Sequence, residues 1–340
     1  MRRRWPLVAA LLLVLVLVGW HPARVAIQTL LLLPGVFPNA PVDPLRLVAP
    51  APRRTEHTLG YPAGTIEADV FHPAVGNRHG AVVLSVGAGE LPRIDLAIRF
   101  AQALARTGVV VLLPQSSGLL AERLSPDEVE GLRLSYELLL QQPDVDPSRT
   151  GFIGLSAAGG LSLVAAAQPD LRERVRLVTS LGGYFDASSL LLDAASRSID
   201  VDGQVRSWYP EQRTLDVIQH SLPDVDLTQL LAGTSRKQAR AAIDALPDDV
   251  RRRLDGISPS HFLPEVRAHL YLLHDTDDTF IPFTETRALV RAAPAGLVER
   301  ATEFSIFSHV VPDRPVPWQS LLPELWTLFW DIHAVLLELV

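Results

Sequence analysis

The chain of 340 residues contains no cysteine and only one lysine, Lys237. Without cysteine, the protein has no disulfides, no thiolate nucleophile and no zinc site built on cysteine ligands. Its positive charge comes almost entirely from arginine, and the arginines do not gather into a stripe that would follow a phosphate backbone. The formal net charge is -7. We therefore expect no nucleic acid as a partner, and any chemistry must use hydroxyl, imidazole or carboxylate groups.

Metal-binding patterns are missing as well. The acids of Asp275–Asp278 lack the alternation and the glycine of a calcium loop, as do Asp224 and Asp226. No H-x-E-x-H or HExxH spacing occurs at the histidines, which include His57, His72, His79, His220, His261 and His269. The sequence therefore predicts no metal site.

Apolar residues, in contrast, make up 48% of the chain, which is enough for one large core with or without an inserted subdomain. The most apolar segment is N-terminal, where arginines at positions 2–4 precede an unbroken apolar run from Leu7 to Val18. This order is typical of an export signal. Trp5 and Trp20 suit a membrane interface and bring the segment close to the minimum length of a bilayer span. A buried N-terminal helix is the alternative, but an apolar surface on all sides of the helix argues against it.

No clean A-x-A cleavage site follows this run, so residues 1–33 are predicted to be retained as a signal anchor. The arginines then stay in the cytoplasm and the rest of the chain lies outside it, with secretion after cleavage as the alternative. A second apolar stretch, from Val25 to Leu33, prolongs the anchor or lies on the membrane surface, and a helical hairpin is a third alternative. Six prolines disfavour regular structure after it, and residues 34–54 are predicted to form a stiff linker.

Strand and helix signals alternate over more than a hundred residues after the linker. Segments with helical periodicity lie between short apolar runs. One of the predicted helices begins with Ser125 as cap and Glu128 at the capping-box position. Such alternation indicates βαβ units, right-handed crossovers and a mostly parallel sheet, and thus an α/β fold. The predicted strands are Thr65–Phe71, Ala81–Val86, Val109–Leu113, Thr150–Ile153 and Val175–Leu181.

The alternation stops at Tyr184. Helical stretches separated by polar turns follow, without a buried strand, so residues 184–267 are predicted to be a helical insertion. Residues 55–183 and 268–340 then form the α/β core. Three elements are predicted after the insertion: strands at His269–Leu273 and Glu303–Phe307, and a helix from about Leu321 to Leu337.

A serine occupies a predicted turn from strand to helix, in the sequence Gly154-Leu-Ser156-Ala157-Ala158-Gly-Gly. A nucleophile elbow holds its serine in a strained conformation that tolerates only small residues two positions before and after it. Gly154 and Ala158 meet this requirement. A helix-capping serine in a glycine-rich turn, with or without a phosphate, is the alternative.

Acid and histidine candidates follow in the order that such a serine requires. A serine hydroxyl needs a histidine base, which a carboxylate orients. Asp278 is our candidate for the acid because it lies in a loop after a predicted strand, where open α/β sheets build their sites. Asp275 and Asp277 in the same loop are competitors. His309 follows the apolar segment that begins at Phe304, and is the candidate base.

Three stretches resemble the α/β-hydrolases, and among them the dienelactone hydrolase and prolyl oligopeptidase-like branch. Residues 144–156 resemble the segment that leads into the nucleophile, and Ser258-Pro259 resembles an S-P motif before the penultimate strand. His274–Pro282 resembles the H-G-x-x-D-x-x-x-P loop, although Asp275 replaces the usual glycine. The resemblance covers roughly residues 55–335 without the insertion. It implies an α/β-hydrolase fold and places Asp278 at the triad acid.

An acyl transfer also needs two donors for the oxyanion. The backbone N–H of Ala157, directly after the serine, is the first candidate. The loop after the strand Ala81–Val86 is similar to the family's H-G-x loop, with Val86 in the place of the histidine. Gly87 or Ala88 would supply the second donor, and Ala88 is our choice.

These residues predict a serine hydrolase that cleaves a carboxylic ester through an acyl-enzyme, without a cofactor. The predicted partners are a small ester-like substrate and the membrane, and the sequence does not indicate an oligomeric state. A thioesterase or peptidase uses the same triad, and a non-catalytic α/β-hydrolase scaffold is an alternative of another class. A nucleotide-binding protein that uses the glycine-rich turn is a further alternative, but the sequence lacks the G-x-x-x-x-G-K-[ST] motif of such proteins. The insertion is expected to cover the site as a lid.

Overall fold

A computed structural model describes residues 20–38, 42–89 and 92–340, and for residues 92–94 only the backbone. Ten strands are found in this part of the chain, eight of them in one sheet. They are β1 Arg53–Tyr61, β2 Gly64–His72, β3 His79–Ser85, β4 Val110–Ser116, β5 Val145–Leu155, β6 Leu177–Leu181, β7 Ser198–Val201, β8 Gln204–Ser207, β9 His269–Asp275 and β10 Val298–Phe304.

The large sheet has the strand order β1-β2-β4-β3-β5-β6-β9-β10. β1 and β2 form an antiparallel hairpin, and β2 is antiparallel to β4. All neighbours from β4 to β10 are parallel. The predicted α/β fold with a mostly parallel sheet is therefore confirmed. All seven residues of β3 are buried, as expected for a central strand covered on both faces.

Fourteen α-helices are found in the described residues. They are α1 His21–Val36, α2 Pro44–Val48, α3 Pro92–Arg106, α4 Ser117–Leu120, α5 Pro126–Leu140, α6 Ala157–Ala166, α7 Ala187–Ser196, α8 Gln212–Ser221, α9 Thr228–Leu231, α10 Arg236–Asp244, α11 Asp248–Asp255, α12 Pro259–Phe262, α13 Thr284–Ala292 and α14 Trp318–Leu339.

Helices cover both faces of the sheet. Residues of α5, α6 and α13 pack on one face, where Tyr136 and Phe152 stack with ring centroids 5.1 Å apart. Residues of α1, α3 and α14 pack on the other face, in a second core cluster that includes Leu32, Leu104 and Leu336. The sheet is therefore the middle of three layers, and loops at its carboxyl end remain free to build a site.

The N-terminal segment is only partly described. Residues 1–19, with most of the predicted anchor, lie outside the described residues. α1 begins within the predicted anchor and buries Val25, Thr29 and Leu32 against the core. No helix in the described part of the chain is long and apolar enough to cross a bilayer. The segment predicted to be a linker contains the short α2, with Asp43 as its cap, before β1 begins at Arg53.

No strand of the large sheet lies between β6 and β9 in the described residues. This part of the chain contains α7 to α12 and a small antiparallel hairpin of β7 and β8, which the sequence patterns did not indicate. The hairpin is mostly exposed, so it lacks the apolar run that identifies a buried strand. The helices have a hydrophobic cluster of their own, which includes Leu191, Trp208 and Ile243.

Two local expectations were wrong. Ser125 begins α5 but makes no side-chain capping bond, and Glu128 turns inward instead of back to the cap. Its carboxylate accepts hydrogen bonds from the Tyr61 and Ser116 hydroxyls, at 2.7 and 2.5 Å. The last strand, β10, ends at Phe304, so most of the segment predicted as its strand is a loop. Long-range polar partners explain the inward turn of Glu128.

Glu285 of α13 fixes the start of the inserted segment. Its buried carboxylate accepts hydrogen bonds from the backbone N–H groups of Phe185 and Asp186, at 2.8 and 2.9 Å, and from the Ser189 hydroxyl at 2.5 Å. Burial raises the pKa of Glu285 to about 7, against an ordinary value of 4.5. The folded protein therefore holds this proton more tightly than the unfolded chain does.

We predict that this group makes the protein less stable as the pH rises from about 4.5 to about 7, by about 3 kcal/mol. Glu285→Gln removes the titration, so urea unfolding of the variant should lose less stability between pH 5 and pH 8 than wild type. Equal losses in both proteins would contradict the prediction.

Candidate active site

Ser156 occupies the turn between β5 and α6. Its backbone has φ 58° and ψ −139°, a strained conformation for a residue with a side chain. Its amide donates to the Leu181 carbonyl at 2.8 Å, which ties the turn to the end of β6. The hydroxyl makes no capping bond to α6, so the side chain of this serine does not cap the helix. The side chain instead lines a cavity.

Small residues are required around this turn because backbone packs against backbone. A Cβ on Gly154 would lie 2.5 Å from the Ala158 carbonyl oxygen and 2.6 Å from Gly159 Cα. Ala158 itself is fully buried. The steric reason for small residues on both sides of Ser156 is therefore visible in the structure.

Asp278 and His309 are joined directly. His309 Nδ1 lies 2.6 Å from Asp278 Oδ2, and both side chains are buried. The other oxygen of Asp278 accepts hydrogen bonds from the backbone N–H groups of Phe280 and Ile281, at 2.7 and 3.1 Å. Burial disfavours the charged carboxylate, but the His309 and His274 rings hold the pKa of Asp278 well below its ordinary value. Asp278 therefore stays ionised across the neutral range.

The two competing acids have other partners. Asp275 accepts a hydrogen bond from the Phe307 amide at 2.7 Å and from Arg314 at 3.1 Å. Asp277 is exposed and pairs with Arg314 at 2.8 Å. Neither carboxylate contacts His309. Asp275 instead fixes the loop that carries His309.

His309 is held from three sides. Its backbone has φ 65°, its ring stacks on Phe280 with centroids 4.7 Å apart, and a Cβ on Gly182 would lie 3.3 Å from its Nδ1 and Cε1. Nε2 is buried and has no hydrogen-bond partner among the described residues. Ser156 and His309 are thus not hydrogen-bonded in this structure. Such bonds are commonly long without substrate and shorten when it binds.

The loop after β3 lies directly against the serine. A Cβ on Gly87 would lie 2.6 Å from Ser156 Cβ and 3.1 Å from the Ala157 nitrogen. Gly89 cannot be a donor because its amide bonds the Leu119 carbonyl at 3.0 Å. Ala88 and Ala157 make no such bond in the described residues, and both line the cavity with Ser156. The N–H groups of Ala88 and Ala157 therefore stay the candidates for the two oxyanion donors.

The cavity at Ser156 has a volume of about 80 Å³. The inserted segment forms much of its wall, through α7 and α8, and most lining side chains are apolar. They include Leu190, Leu191, Val217, Ile218, Leu222 and Leu254. Such a lining suits an acyl or aryl group, with few positions for polar recognition.

Arg213 is the one charged residue in this wall, and sequence patterns did not indicate it. Its Nη2 lies 3.0 Å from Glu122 Oε1, which joins α8 to the loop after α4. His220 Nδ1 lies 3.5 Å from the other oxygen of Glu122. Arg213 also packs against Gly89, where a Cβ would collide with its guanidinium. Only tertiary packing brings these separate segments together.

No group of three or more His, Asp or Glu side chains in the described residues is arranged to hold a metal ion.

Several solved structures that are similar to this chain are named as hydrolases. No known family model and no curated protein matches the chain. The 2,6-dihydroxy-pseudo-oxynicotine hydrolase superposes with a TM-score of 0.54 and 16% identity, over 84% of this chain and 68% of that one. A puromycin-hydrolysing peptidase of Mycobacterium tuberculosis gives a TM-score of 0.56 and 19% identity, over 84% of this chain and 39% of that one. A fungal esterase of Rhizomucor miehei gives a TM-score of 0.51 and 16% identity, over 87% of both chains.

The chain therefore has the α/β-hydrolase fold, and the resemblance predicted from the sequence is confirmed at the level of the fold. The chain spans about two fifths of the length of the puromycin-hydrolysing and acylaminoacyl peptidases that it matches. Peptidases and esterases both occur among these structures, so the fold does not separate the two activities.

The contacts of the loop after β9 predict which acid is needed for activity. Asp278→Asn keeps the shape but favours the wrong tautomer of His309, so kcat should fall by about 10⁴-fold. Asp277→Asn is the matched control and should stay within a few-fold of wild type, because its carboxylate is exposed. Steady-state hydrolysis of a chromogenic ester measures both variants. A larger loss of kcat in Asp277→Asn than in Asp278→Asn would identify Asp277 as the acid instead.

Proposed function

We propose that the protein is a serine hydrolase that cleaves carboxylic esters, with Ser156, His309 and Asp278 as its triad. The hydrogen bond from His309 Nδ1 to buried Asp278, beside a serine in a strained strand-to-helix turn, carries this proposal. Asp278 fixes the tautomer that leaves Nε2 free to accept a proton. The fold and its hydrolase neighbours support the same assignment.

In the proposed reaction the Ser156 hydroxyl attacks the ester carbonyl while His309 Nε2 takes its proton. The backbone N–H groups of Ala157 and Ala88 stabilise the oxyanion. His309 returns the proton to the leaving alcohol, which departs and leaves an acyl-serine. Water then attacks the acyl group while His309 takes its proton, and His309 returns this proton to the Ser156 oxygen as the acid is released. No cofactor takes part in these steps.

Residues 184–267 are proposed to form the lid over this site. The apolar side chains of α7 and α8 would receive the acyl or aryl part of the substrate. Glu122 and Arg213 hold α8 against the loop after α4, and the Leu124 amide donates to the Ser221 hydroxyl at 2.8 Å. These contacts support a lid that determines substrate size. The N-terminal apolar segment is proposed to anchor this domain outside the cytoplasm.

A substrate panel tests the ester assignment. Full-length protein should hydrolyse esters of medium-length acids, and Ser156→Ala should lose about 10³-fold or more of that activity. Matched thioesters and anilides of the same acids form the comparison. A higher kcat/KM for thioesters or anilides would make the protein a thioesterase or a peptidase. A folded protein without activity on any of them would indicate a non-catalytic scaffold.

The lid assignment predicts a change in chain-length preference. Val217 lines the cavity from α8, so Val217→Trp should reduce kcat/KM for an octanoate ester by about tenfold or more and spare an acetate ester. Val205→Trp, on the exposed hairpin, is the control and should change neither. Equal losses on both esters in Val217→Trp would show that the cavity does not receive the acyl chain.

A further inference from the structure

The acids of α14 all lie on one side of the helix. Glu324 accepts a hydrogen bond from the Ser305 hydroxyl at 2.6 Å, and Asp331 pairs with Arg300. Glu338 lies 2.5 Å from Arg176 Nε and 2.6 Å from His269 Nδ1. These acids are spaced by seven residues and face the sheet and the loop after β10. α14 contains no lysine or arginine, so its outer side carries no ion pair.

Tryptophans occupy the outer side instead. Trp318, Leu322, Trp326 and Trp330 recur every four residues and are exposed by 66%, 56%, 63% and 38%. At about 100° per residue, the centre of this stripe lies about 160° from the centre of the acidic stripe. Trp326, Phe329, Trp330 and His333 form a chain of stacked and edge-to-face ring contacts, with centroids 5.2–5.9 Å apart. The outer side is thus a preformed aromatic surface.

α1 extends this surface. His333 Nε2 lies 3.3 Å from the Pro22 carbonyl, and His21 Nε2 lies 2.9 Å from the Val340 carbonyl, so α1 begins where α14 ends. α1 buries one side in the core and exposes Ile27 and Leu30 on the other, and Trp20 is exposed just before it. Arg24 is its only charged residue.

The exposed apolar side chains are concentrated in these two terminal segments. Ten of the fourteen large hydrophobic side chains that are exposed in the described residues lie in residues 20–48 or on α14. The other four, Val75, Leu120, Val205 and Tyr209, are scattered. A concentration of this kind marks a surface that contacts an apolar partner.

We propose that the outer sides of α1 and α14 form a docking surface for a lipid bilayer. The surface is continuous with the chain that precedes Trp20, where positions 7–18 are all apolar and positions 2–4 are arginines. Tryptophan prefers the interfacial layer of a bilayer, and arginine is attracted to anionic lipid headgroups. The α/β domain then lies on the membrane through its own surface, in addition to the N-terminal anchor. This proposal does not depend on the hydrolase assignment.

Single cysteines test the proposal, because the chain has none of its own. Leu322→Cys and Leu30→Cys place a nitrobenzoxadiazole label on the proposed surface in full-length protein, reconstituted in vesicles of phosphatidylcholine and phosphatidylglycerol. Val205→Cys is the control with matched exposure, since Leu30 is exposed by 61% and Val205 by 62%. Its hairpin lies near α13 on the opposite face of the sheet, where Arg287 lies 3.3 Å from Asp202. Thermal unfolding like that of the cysteine-free parent shows that each variant folds.

Spin-labelled lipids should quench the labels at positions 322 and 30 at least several-fold more than the label at position 205. Equal quenching at all three positions would overturn the proposal. If the labels at positions 322 and 30 are already shielded without vesicles and lipids do not quench them, another part of this chain covers the surface. If this shielding increases with protein concentration, a second copy of the chain covers the surface. Either result would also overturn it.

Discussion

Backbone packed directly against backbone at the turn after β5 is the constraint on which the candidate site depends. Ser156 holds a conformation that costs on the order of 1–3 kcal/mol, and the surrounding contacts must maintain it. Gly154 permits contact with α6, and Gly87 permits contact between the loop after β3 and the serine. A side chain at either glycine would push apart the strand, helix or loop. The small residues thus keep the hydroxyl and the Ala157 amide on one side of the cavity.

Two acids of one loop have different tasks because their surroundings differ. Asp278 is buried but stays charged, since two backbone donors and the His309 ring compensate for the lost solvation. Asp275 holds the Phe307 amide and Arg314, and so fixes the segment that carries His309. Burial raises the pKa of Asp275, and its backbone donors and Arg314 act in the opposite direction. One acid orients the imidazole, and the other positions its loop.

Sequence patterns were informative where local structure determines the outcome. Buried β-branched runs such as that of β3 predicted a mostly parallel sheet, and small residues around Ser156 predicted a tight turn. β1 was not predicted, because its residues are mostly polar and partly exposed. The partners of Glu128 lie up to 67 residues away in the chain, and those of Glu285 up to 100, so no local pattern reveals them. The same holds for the contact between Arg213 and Glu122 and for the stacking of Phe280 on His309.

The most direct test of the proposed chemistry is the modification of Ser156 by a fluorophosphonate, followed by peptide mass spectrometry. An activated serine in an oxyanion site reacts with this reagent, whereas ordinary serines do not. We expect the phosphonyl adduct on the peptide that contains Ser156 in wild type, and no adduct in Ser156→Ala. A folded wild-type protein that remains unmodified, or that carries the adduct on another residue, would contradict the assignment of Ser156 as the nucleophile.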